Sequence, residues 1–146
     1  MKKIFIASDH AAFKEKQKVI EHLTQYEVVD LGTNSEESCN YSNFAISLAK
    51  KVQVENESLG ILICGSGIGV SMAANRFQNV RAARCLSLND AEMTRKHNDA
   101  NVICLGSRVN SIKDILEMID TFIKTKFEGG RHLERVNTFN NLGQSK

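Results

Sequence analysis

Short runs of apolar residues alternate with longer stretches in which apolar residues recur every three or four positions. The short runs have the length of β-strands, and the longer stretches have the period of amphipathic helices. The predicted strands are residues 3–8, 26–32, 59–64, 81–86 and 102–107. The predicted helices are residues 11–25, 44–54, 68–77, 89–96 and 111–126. Strand and helix therefore alternate along most of the chain.

The predicted strands are short and apolar throughout. Such strands are typical of a parallel sheet that is covered by helices on both faces. The sequence therefore predicts an α/β fold, a Rossmann-like doubly wound five-stranded parallel sheet with helices on both faces. We expect one domain, residues 1–146.

The segment 128–146 follows the last of these helices and is rich in charge. Its apolar residues lie at helical spacing, and two glycines connect it to the rest of the chain. The apolar positions are Leu133, Val136 and Phe139, and the glycines are Gly129 and Gly130. A terminal helix with one apolar stripe is expected to pack on its own domain or on a partner subunit.

Composition narrows the classes of partner. The 146 residues carry a formal net charge of +2, and the lysines and arginines form no basic run. Nucleic-acid binding and membrane binding therefore have no compositional support. The first apolar run ends at Asp9, which makes it too short for an export signal or a membrane span. Four cysteines without a CxxC pair favour reduced thiols and a cytoplasmic protein.

Ligands of doubly wound sheets bind at the carboxyl ends of the strands, where loops lead into helices. This rule selects candidate residues without any motif. They are Asp9 and His10 after the first strand, residues 64–69 after the third, Asn89 and Asp90 after the fourth, and residues 106–108 after the fifth. Much of the reactive chemistry of the chain lies at these positions.

Glycine alternates in the loop after the third strand, at Gly65, Gly67 and Gly69. Glycine lets the backbone turn sharply and approach a ligand, and the first amides of the following helix point toward an anion. The loop therefore predicts a site for negative charge. Val70 argues against two familiar alternatives, because a GxGxxG dinucleotide fingerprint needs glycine there and a Cys-x5-Arg phosphatase loop needs arginine.

Cys64 ends the third strand, and the residues alone leave two interpretations open. A cysteine at the end of an apolar strand is often a small buried hydrophobic residue, which is our expectation for Cys85 and Cys104. A thiol at a helix N-terminus among glycine amides is instead favoured as a thiolate. A thiolate can remove a proton as a general base.

A second cluster, RKHNDANV at residues 95–102, places His97 and Asn98 between a helix and the next strand. A histidine in such a place is often only a capping or surface residue, but the polarity of the segment favours a site. Asp9 is similar, since it can cap the next helix and still contact a ligand.

A third cluster, GGRHLERV at residues 129–136, places Arg131 and Arg135 one helical turn apart. Together with Arg108 they suit a phosphate group. The alternative is a solvated basic face. No grouping of histidine, cysteine and aspartate has the spacing of metal ligands, so we expect no metal site.

Nearly the whole chain, from the first strand to about Val136, resembles one known family. The resemblance rests on five segments in this order and spacing: SDHAA, DLGT, ICGSGIGVSMAANRF, RKHNDANVICLGSRV and GGRHLERV. They are similar to the ribose-5-phosphate isomerase B family, which also contains galactose-6-phosphate and allose-6-phosphate isomerases. The resemblance implies interconversion of aldose and ketose phosphates through a cis-enediol, in the pentose phosphate pathway, without metal or organic cofactor.

The resemblance also implies roles for four catalytic residues. Cys64 is the base that moves the proton between C2 and C1 of the sugar, and His97 is the acid that opens the furanose ring. Ser66, with the glycine amides of its loop, holds the enediolate oxygen in an anion hole. Asp9 contacts sugar oxygens.

Further positions are implied to bind the substrate. They are Gly65, Gly67 and Gly69 in the anion hole, Asn98 at the sugar, Tyr41 lining the pocket, and His10, Arg108, Arg131 and Arg135 at the phosphate. The resemblance implies a homodimer or homotetramer, with the site between two subunits and the C-terminal helix used in dimerisation. Residues 40–43 read Asn-Tyr-Ser-Asn where the family commonly reads Asp-Tyr-Pro-Asp. This departure bears on the rigidity of the loop and on the preferred sugar.

We expect an isomerase of ribose 5-phosphate and ribulose 5-phosphate. One alternative is an isomerase of a six-carbon aldose phosphate, allose 6-phosphate or galactose 6-phosphate, which relative kcat/KM values would reveal. The other alternative is a non-catalytic sugar-phosphate sensor, which would bind the sugar without turnover.

Overall fold

A computed structural model describes residues 2–146 and confirms the alternation of strands and helices. The strands are β1 (Lys3–Ser8), β2 (Glu27–Asp30), β3 (Leu59–Cys64), β4 (Ala82–Arg84) and β5 (Val102–Gly106). The helices are α1 (Phe13–His22), α2 (Tyr41–Val54), α3 (Ile68–Ala74), α4 (Leu88–Lys96), α5 (Ile112–Lys124) and α6 (Arg131–Asn140). A short 3-10 helix, His10–Ala12, precedes α1.

The five strands form one parallel sheet in the order β2-β1-β3-β5-β4. The register places Ser8 of β1 beside Ile63 of β3. It also places Cys64 at the end of β3 beside Gly106 at the end of β5. The loops that leave the three central strands therefore meet at one edge of the sheet, as the sequence predicts.

Helices cover both faces of the sheet. One apolar core lies between the sheet and α1, α4 and α5, and it receives Ile61 and Ile63 from β3. The other core lies between the sheet and α2 and α3, and it receives Leu62 and Cys64 from β3. Because successive side chains of a strand point to opposite faces, Cys64 faces the layer that contains α3. Each fully buried Leu or Ile contributes about 1.5–3 kcal/mol to folding.

Several elements are shorter or begin earlier than predicted, and hydrogen bonds at their ends explain why. The helix α2 begins at Tyr41 rather than at residue 44, because the Asn40 side chain accepts a hydrogen bond from the Ser42 amide at 2.9 Å. The strand β4 has only three residues and lies at the sheet edge. There the Asn75 side chain, beyond the end of α3, pairs with both backbone groups of Ala82 at 2.8 Å.

The tail helix α6 packs on its own domain beside β4. Val136 is buried, whereas Leu133 and Phe139 are 49% and 45% exposed. The Arg81 guanidinium donates to the Asn140 side-chain oxygen at 2.6 Å, which ties the end of α6 to the residue before β4. A cavity of about 560 Å³ opens between α6 and β4, lined in part by Phe77 and Phe139. In residues 2–146, no helix is long and apolar enough to cross a membrane.

Candidate active site

The loop after β3 holds the Cys64 sulfur against a backbone amide. Cys64 is 5% exposed, and its Sγ accepts a hydrogen bond from the Gly67 N–H at 3.1 Å. Gly67 has a φ of +78°, a left-handed conformation that glycine adopts without strain. The Gly67 amide is thus a backbone donor aimed at the sulfur. The position predicted for a base is therefore also a position at which the sulfur accepts a hydrogen bond from the backbone.

Two side chains predicted for the site lie directly over this loop. A Cβ at Gly69 would come within 2.5 Å of the Tyr41 ring, so the ring occupies the space that a side chain would need. A Cβ at Gly65 would come within 3.1 Å of Nη1 of Arg108. The glycines thus allow an aromatic ring and a guanidinium to approach the backbone of the loop that follows Cys64.

Hydrogen bonds join the loops that follow β1, β3 and β5. The Ser107 amide donates to the Cys64 carbonyl at 2.8 Å, and the Arg108 amide donates to the Gly65 carbonyl at 3.0 Å. The Ser107 hydroxyl donates to the Ala11 carbonyl at 3.2 Å. Because backbone groups form most of these contacts, the relative positions of the three loops are set by the fold itself.

Arg84 is a site neighbour that sequence reasoning missed. Its Nε donates to the Ser66 carbonyl at 2.9 Å, so a second guanidinium besides that of Arg108 borders the glycine loop. The signal was an arginine inside the predicted strand 81–86, at the carboxyl end of β4 as observed. Two nearby positive charges increase the attraction of this edge for an anion.

Asp9 and His10 lie at the end of β1 beside the loop of Cys64. Asp9 is 8% exposed, its amide donates to the Ile63 carbonyl at 3.3 Å, and its Oδ1 accepts from the Ala11 amide at 3.0 Å. The Nδ1 of His10 accepts a hydrogen bond from the Cys39 amide at 3.2 Å. A neutral imidazole with Nδ1 accepting carries its proton on Nε2. His10 is therefore arranged to donate from Nε2.

The observed cap of α2 bears on the departure at residues 40–43. Asn40 caps the helix through its side-chain oxygen, as aspartate does at this position of a helix. Tyr41, the first residue of α2, is 40% exposed and lies against Gly69. The loss of the usual carboxylate therefore leaves the cap and the tyrosine contact in place.

His97 and Asn98 lie at the amino edge of the sheet, where the strands begin, whereas Cys64 lies at the carboxyl edge, where they end. His97 caps the carboxyl end of α4, just before β5 begins at Val102, whereas Cys64 is level with Gly106 at the other end of β5. The strand rises about 3.3 Å per residue, so the two edges are roughly 13 Å apart along β5. Within one chain, the structure does not bring the candidate acid and the candidate base together.

His97 is part of a cluster that sequence reasoning did not find. Its ring stacks on that of His132, with centroids 4.3 Å apart and an interplanar angle of 13°. The Glu128 Oε1 lies 3.6 Å from Nε2 of His97 and 3.7 Å from Nε2 of His132. These residues are 31 to 35 positions apart from His97 in the chain, so no local spacing reveals the contact. All three ligand atoms lie within 4.8 Å of one another, as metal ligands do.

The charges around this cluster favour an anion over a cation. Burial lowers the pKa of His132, and the positive charges of His97, Arg131 and Arg135 lower it further, while Glu128 acts in the opposite direction. Arg131 and Arg135 are exposed on the first turns of α6. The two predicted phosphate ligands of the tail thus lie near His97 and away from Cys64.

The candidate residues form two groups. The carboxyl-edge group consists of Asp9, His10, Tyr41, Cys64, Gly65, Ser66, Gly67, Gly69 and Arg108. The amino-edge group consists of His97, Asn98, Arg131 and Arg135. The first group has the parts of a proton-transfer site with an anion hole. The second has an imidazole and two guanidiniums that suit an oxygen-rich, negatively charged ligand.

The comparisons with known proteins agree on one family. The model of the ribose/galactose isomerase family matches residues 4–139. Ribose-5-phosphate isomerase B of Escherichia coli is 38% identical over 148 residues, covering 100% of this chain and 99% of that protein. A structure of Clostridium thermocellum ribose-5-phosphate isomerase B superposes with a TM-score of 0.92 at 41% identity, covering 94% of this chain and 95% of the other.

A third relative has been solved with a sugar phosphate. It is ribose-5-phosphate isomerase B from Mycoplasma genitalium with bound ribulose-5-phosphate, at a TM-score of 0.90 and 44% identity. The alignment covers 93% of this chain and 92% of the Mycoplasma chain. The similarity to all three proteins thus extends over nearly the full length of both partners.

Proposed function

The chain belongs to the ribose/galactose isomerase family, and from that premise we propose that it interconverts D-ribose 5-phosphate and D-ribulose 5-phosphate. The structure of a relative with bound ribulose-5-phosphate supports this substrate. The observation that carries the proposal is the position of Cys64, whose Sγ lies 3.1 Å from the Gly67 amide beside the glycine loop. A base in this position next to oxyanion donors is what a cis-enediol mechanism requires.

Ring opening is the first step for ribose 5-phosphate. The ring oxygen must gain a proton as the bond between it and C1 breaks, and the anomeric hydroxyl must lose a proton as the C1 aldehyde forms. We assign the donation to the ring oxygen to His97, whose side chain is 37% exposed and thus accessible to a sugar. The proton that the anomeric hydroxyl loses restores the imidazolium. Asn98 and Asp9 orient the sugar hydroxyls.

The isomerisation itself moves a proton from C2 to C1. The Cys64 thiolate removes the C2 proton, and the C1 oxygen takes the negative charge of the enediolate. The proton of the C2 hydroxyl then passes to the C1 oxygen, so that C2 becomes the ketone when the thiol returns the proton to C1. Ser66 is free to stabilise that oxygen, because its Oγ accepts from the Ile68 amide at 3.1 Å and its own hydroxyl hydrogen remains available. Preorganised donors of this kind supply a large share of the rate.

The phosphate binds to positive and hydrogen-bonding groups of both edges. His10 offers Nε2–H, and Arg108 lies over Gly65 at the carboxyl edge. Arg131 and Arg135 add two guanidiniums from the amino edge. Guanidiniums bind phosphate oxygens through paired hydrogen bonds, which fixes the substrate as well as attracting it.

One substrate can contact both groups only if they come from different copies of the chain. Since the two edges of the sheet are about 13 Å apart along β5, the amino-edge group of one subunit must face the carboxyl-edge group of its partner. A two-fold axis creates two such sites in a homodimer. A homotetramer would contain the same pair of subunits. The exposed Leu133 and Phe139 of α6 support a contribution of this helix to the contact.

Free cysteines support a cytoplasmic location. All four cysteines are free, and Cys64 acts only as a thiol or thiolate. The reducing environment of the cytoplasm keeps thiols in this form. We therefore propose a cytoplasmic enzyme.

The decisive test is turnover of ribose 5-phosphate by the purified protein in EDTA, with Cys64→Ala and Cys85→Ala assayed beside it. We expect wild-type turnover, a loss of about 10³-fold or more in Cys64→Ala, and near-normal kcat in Cys85→Ala. Cys85 is a matched control because it is buried away from the loop and its pKa is raised to about 12 by burial. Turnover of allose or galactose 6-phosphate without turnover of ribose 5-phosphate would reassign the substrate, and binding without any turnover would indicate a sensor.

A further inference from the structure

The ring of His97 stacks on His132, a residue to which the proposed mechanism assigns no step. The two rings are nearly parallel at 4.3 Å, and His132 is the more buried of the two, with 11% of its side chain exposed against 37% for His97. His132 lies in the first turn of α6, whereas His97 ends α4. The contact therefore joins the candidate acid to a helix that is fixed elsewhere by the burial of Val136.

Two imidazolium rings stacked at this distance would repel each other, so one ring must be neutral when the other carries a proton. The surroundings of His132 disfavour the charged form of its ring. Burial lowers the pKa of His132, and nearby Arg131 and Arg135 lower it further. The single negative charge of Glu128 lies almost equally close to both Nε2 atoms, at 3.6 and 3.7 Å. With His132 neutral, that charge is available to the protonated form of His97.

The environment of the cluster also decides against a metal ion. Three potential ligand atoms lie close together, but the guanidiniums of Arg131 and Arg135 act on the same place. Stacked rings, moreover, direct their nitrogen lone pairs side by side rather than toward one point. The arrangement is suited to holding one ring in position against another.

We propose that His132 is a positioning residue for ring opening: its neutral ring is the surface on which His97 lies, and with Glu128 it holds His97 in the orientation that reaches the ring oxygen of the sugar. His132 itself touches no reacting atom. This inference rests on the proposed function, because it assigns a support to the acid of that reaction. A flat ring is sufficient for the role, and a titrating nitrogen is not needed.

The experiment separates ring opening from isomerisation. Ribulose 5-phosphate has no free C5 hydroxyl and stays an open chain, so exchange of its C1 hydrogen with deuterium from solvent needs Cys64 but no ring opening. We expect His132→Ala to lower the kcat for ribose 5-phosphate about tenfold, while the deuterium exchange rate, measured by NMR, stays within about twofold of wild type. His132→Phe, which keeps a flat ring, should retain the kcat within about threefold.

A matched variant tests whether loosening α6 alone produces the selective loss of turnover. Val136→Ala removes buried contacts from the same helix without touching His97, and we expect both rates to change together or not at all. The proposal is overturned if His132→Ala keeps wild-type kcat, if it lowers exchange as much as turnover, if His132→Phe is as slow as His132→Ala, or if Val136→Ala gives the same selective loss. A wild-type protein without turnover would instead remove the proposed function, so the two failures are distinguishable.

Discussion

The carboxyl-edge and amino-edge groups are built in different ways. At the carboxyl edge, backbone hydrogen bonds of 2.8 to 3.3 Å join the loops around Cys64, and Cys64 is 5% exposed. At the amino edge, His97 is held by ring stacking and by a carboxylate at 3.6 Å, and the arginines are exposed. One group is held mainly by backbone contacts within a single chain, and the other by side-chain contacts that, in the proposed dimer, would face a second chain.

The chemistry of the two proton transfers explains this difference. Removing a proton from carbon creates an enediolate whose charge must be met by donors already in place. A proton moves between an imidazole and a sugar oxygen much more readily, so the ring-opening group tolerates a looser support. The phosphate contacts act through charge, and the energy of this attraction changes little with small displacements. In the proposed mechanism, the group with the stricter geometry therefore serves the more difficult step.

Complementation between variants gives the largest expected effect. Cys64→Ala and His97→Asn should each be inactive alone, because each destroys one group in every site. When the two chains are co-expressed and purified together, half of the dimers are mixed and each mixed dimer has one intact site, so about a quarter of wild-type turnover should return. The measurement is the kcat per chain of the mixed preparation. Turnover that stays at the level of either single variant would show that both groups act within one chain.

The phosphate role of the tail gives the next largest effect. Arg135→Ala removes one guanidinium from a group that binds substrate and transition state alike, so KM should rise about tenfold or more while kcat changes little. Lys113→Ala, an exposed cation on α5, serves as the control for total charge. Steady-state kinetics with ribose 5-phosphate measure both constants. An unchanged KM would separate Arg135 from the phosphate.

Removing the backbone hydrogen bond to His10 should have a smaller effect on KM. Cys39→Pro removes the amide that donates to Nδ1, which frees the ring to take the other tautomer, and KM should rise a few-fold. Cys39→Ser keeps the amide and replaces only the thiol, so its KM should equal that of wild type. Nitrogen-15 NMR of His10 would read the tautomer directly. A proton on Nδ1 in the wild-type protein would contradict the arrangement.

The cap of α2 gives the smallest effect. Asn40→Ala removes the hydrogen bond to the Ser42 amide and should lower the free energy of unfolding by about 1 kcal/mol. Asn40→Asp should restore that stability, since a carboxylate caps equally well. Chemical denaturation measures both variants. Equal stability of all three proteins would show that the departure at residues 40–43 has no effect on this helix.

The sequence was most informative where burial is complete. The bounds of β1 and β3 match the predictions because both strands are central and almost entirely buried. The edge strands β2 and β4 are shorter than predicted, because their outer residues have no strand partner on one side. The start of α2 was missed because a side-chain cap, rather than an apolar residue, begins the helix.

The candidate site likewise divides into positions that the sequence predicts and contacts that it does not. Except for Tyr41, which only the family resemblance indicated, the carboxyl-edge positions follow from the rule for parallel sheets, because they depend on where strands end. The stacking of His132 on His97 and the contact of Arg84 with Ser66 depend on how distant segments pack, and neither is encoded in local spacing. The prediction that α6 takes part in dimerisation, and the roles of the individual site residues, remain predictions.

The strand order also constrains how the sheet can assemble as the chain is synthesised. The strand β4 is made before β5, yet it pairs only with β5, and β5 fills the place between β3 and β4. A nascent chain that has emerged only as far as residue 101 therefore carries one strand without a partner and an open hydrogen-bonding edge on β3. Such edges are where unfinished proteins aggregate. The last third of the sequence thus completes the sheet, because β5 covers the open edge of the strand that carries Cys64 and pairs with β4.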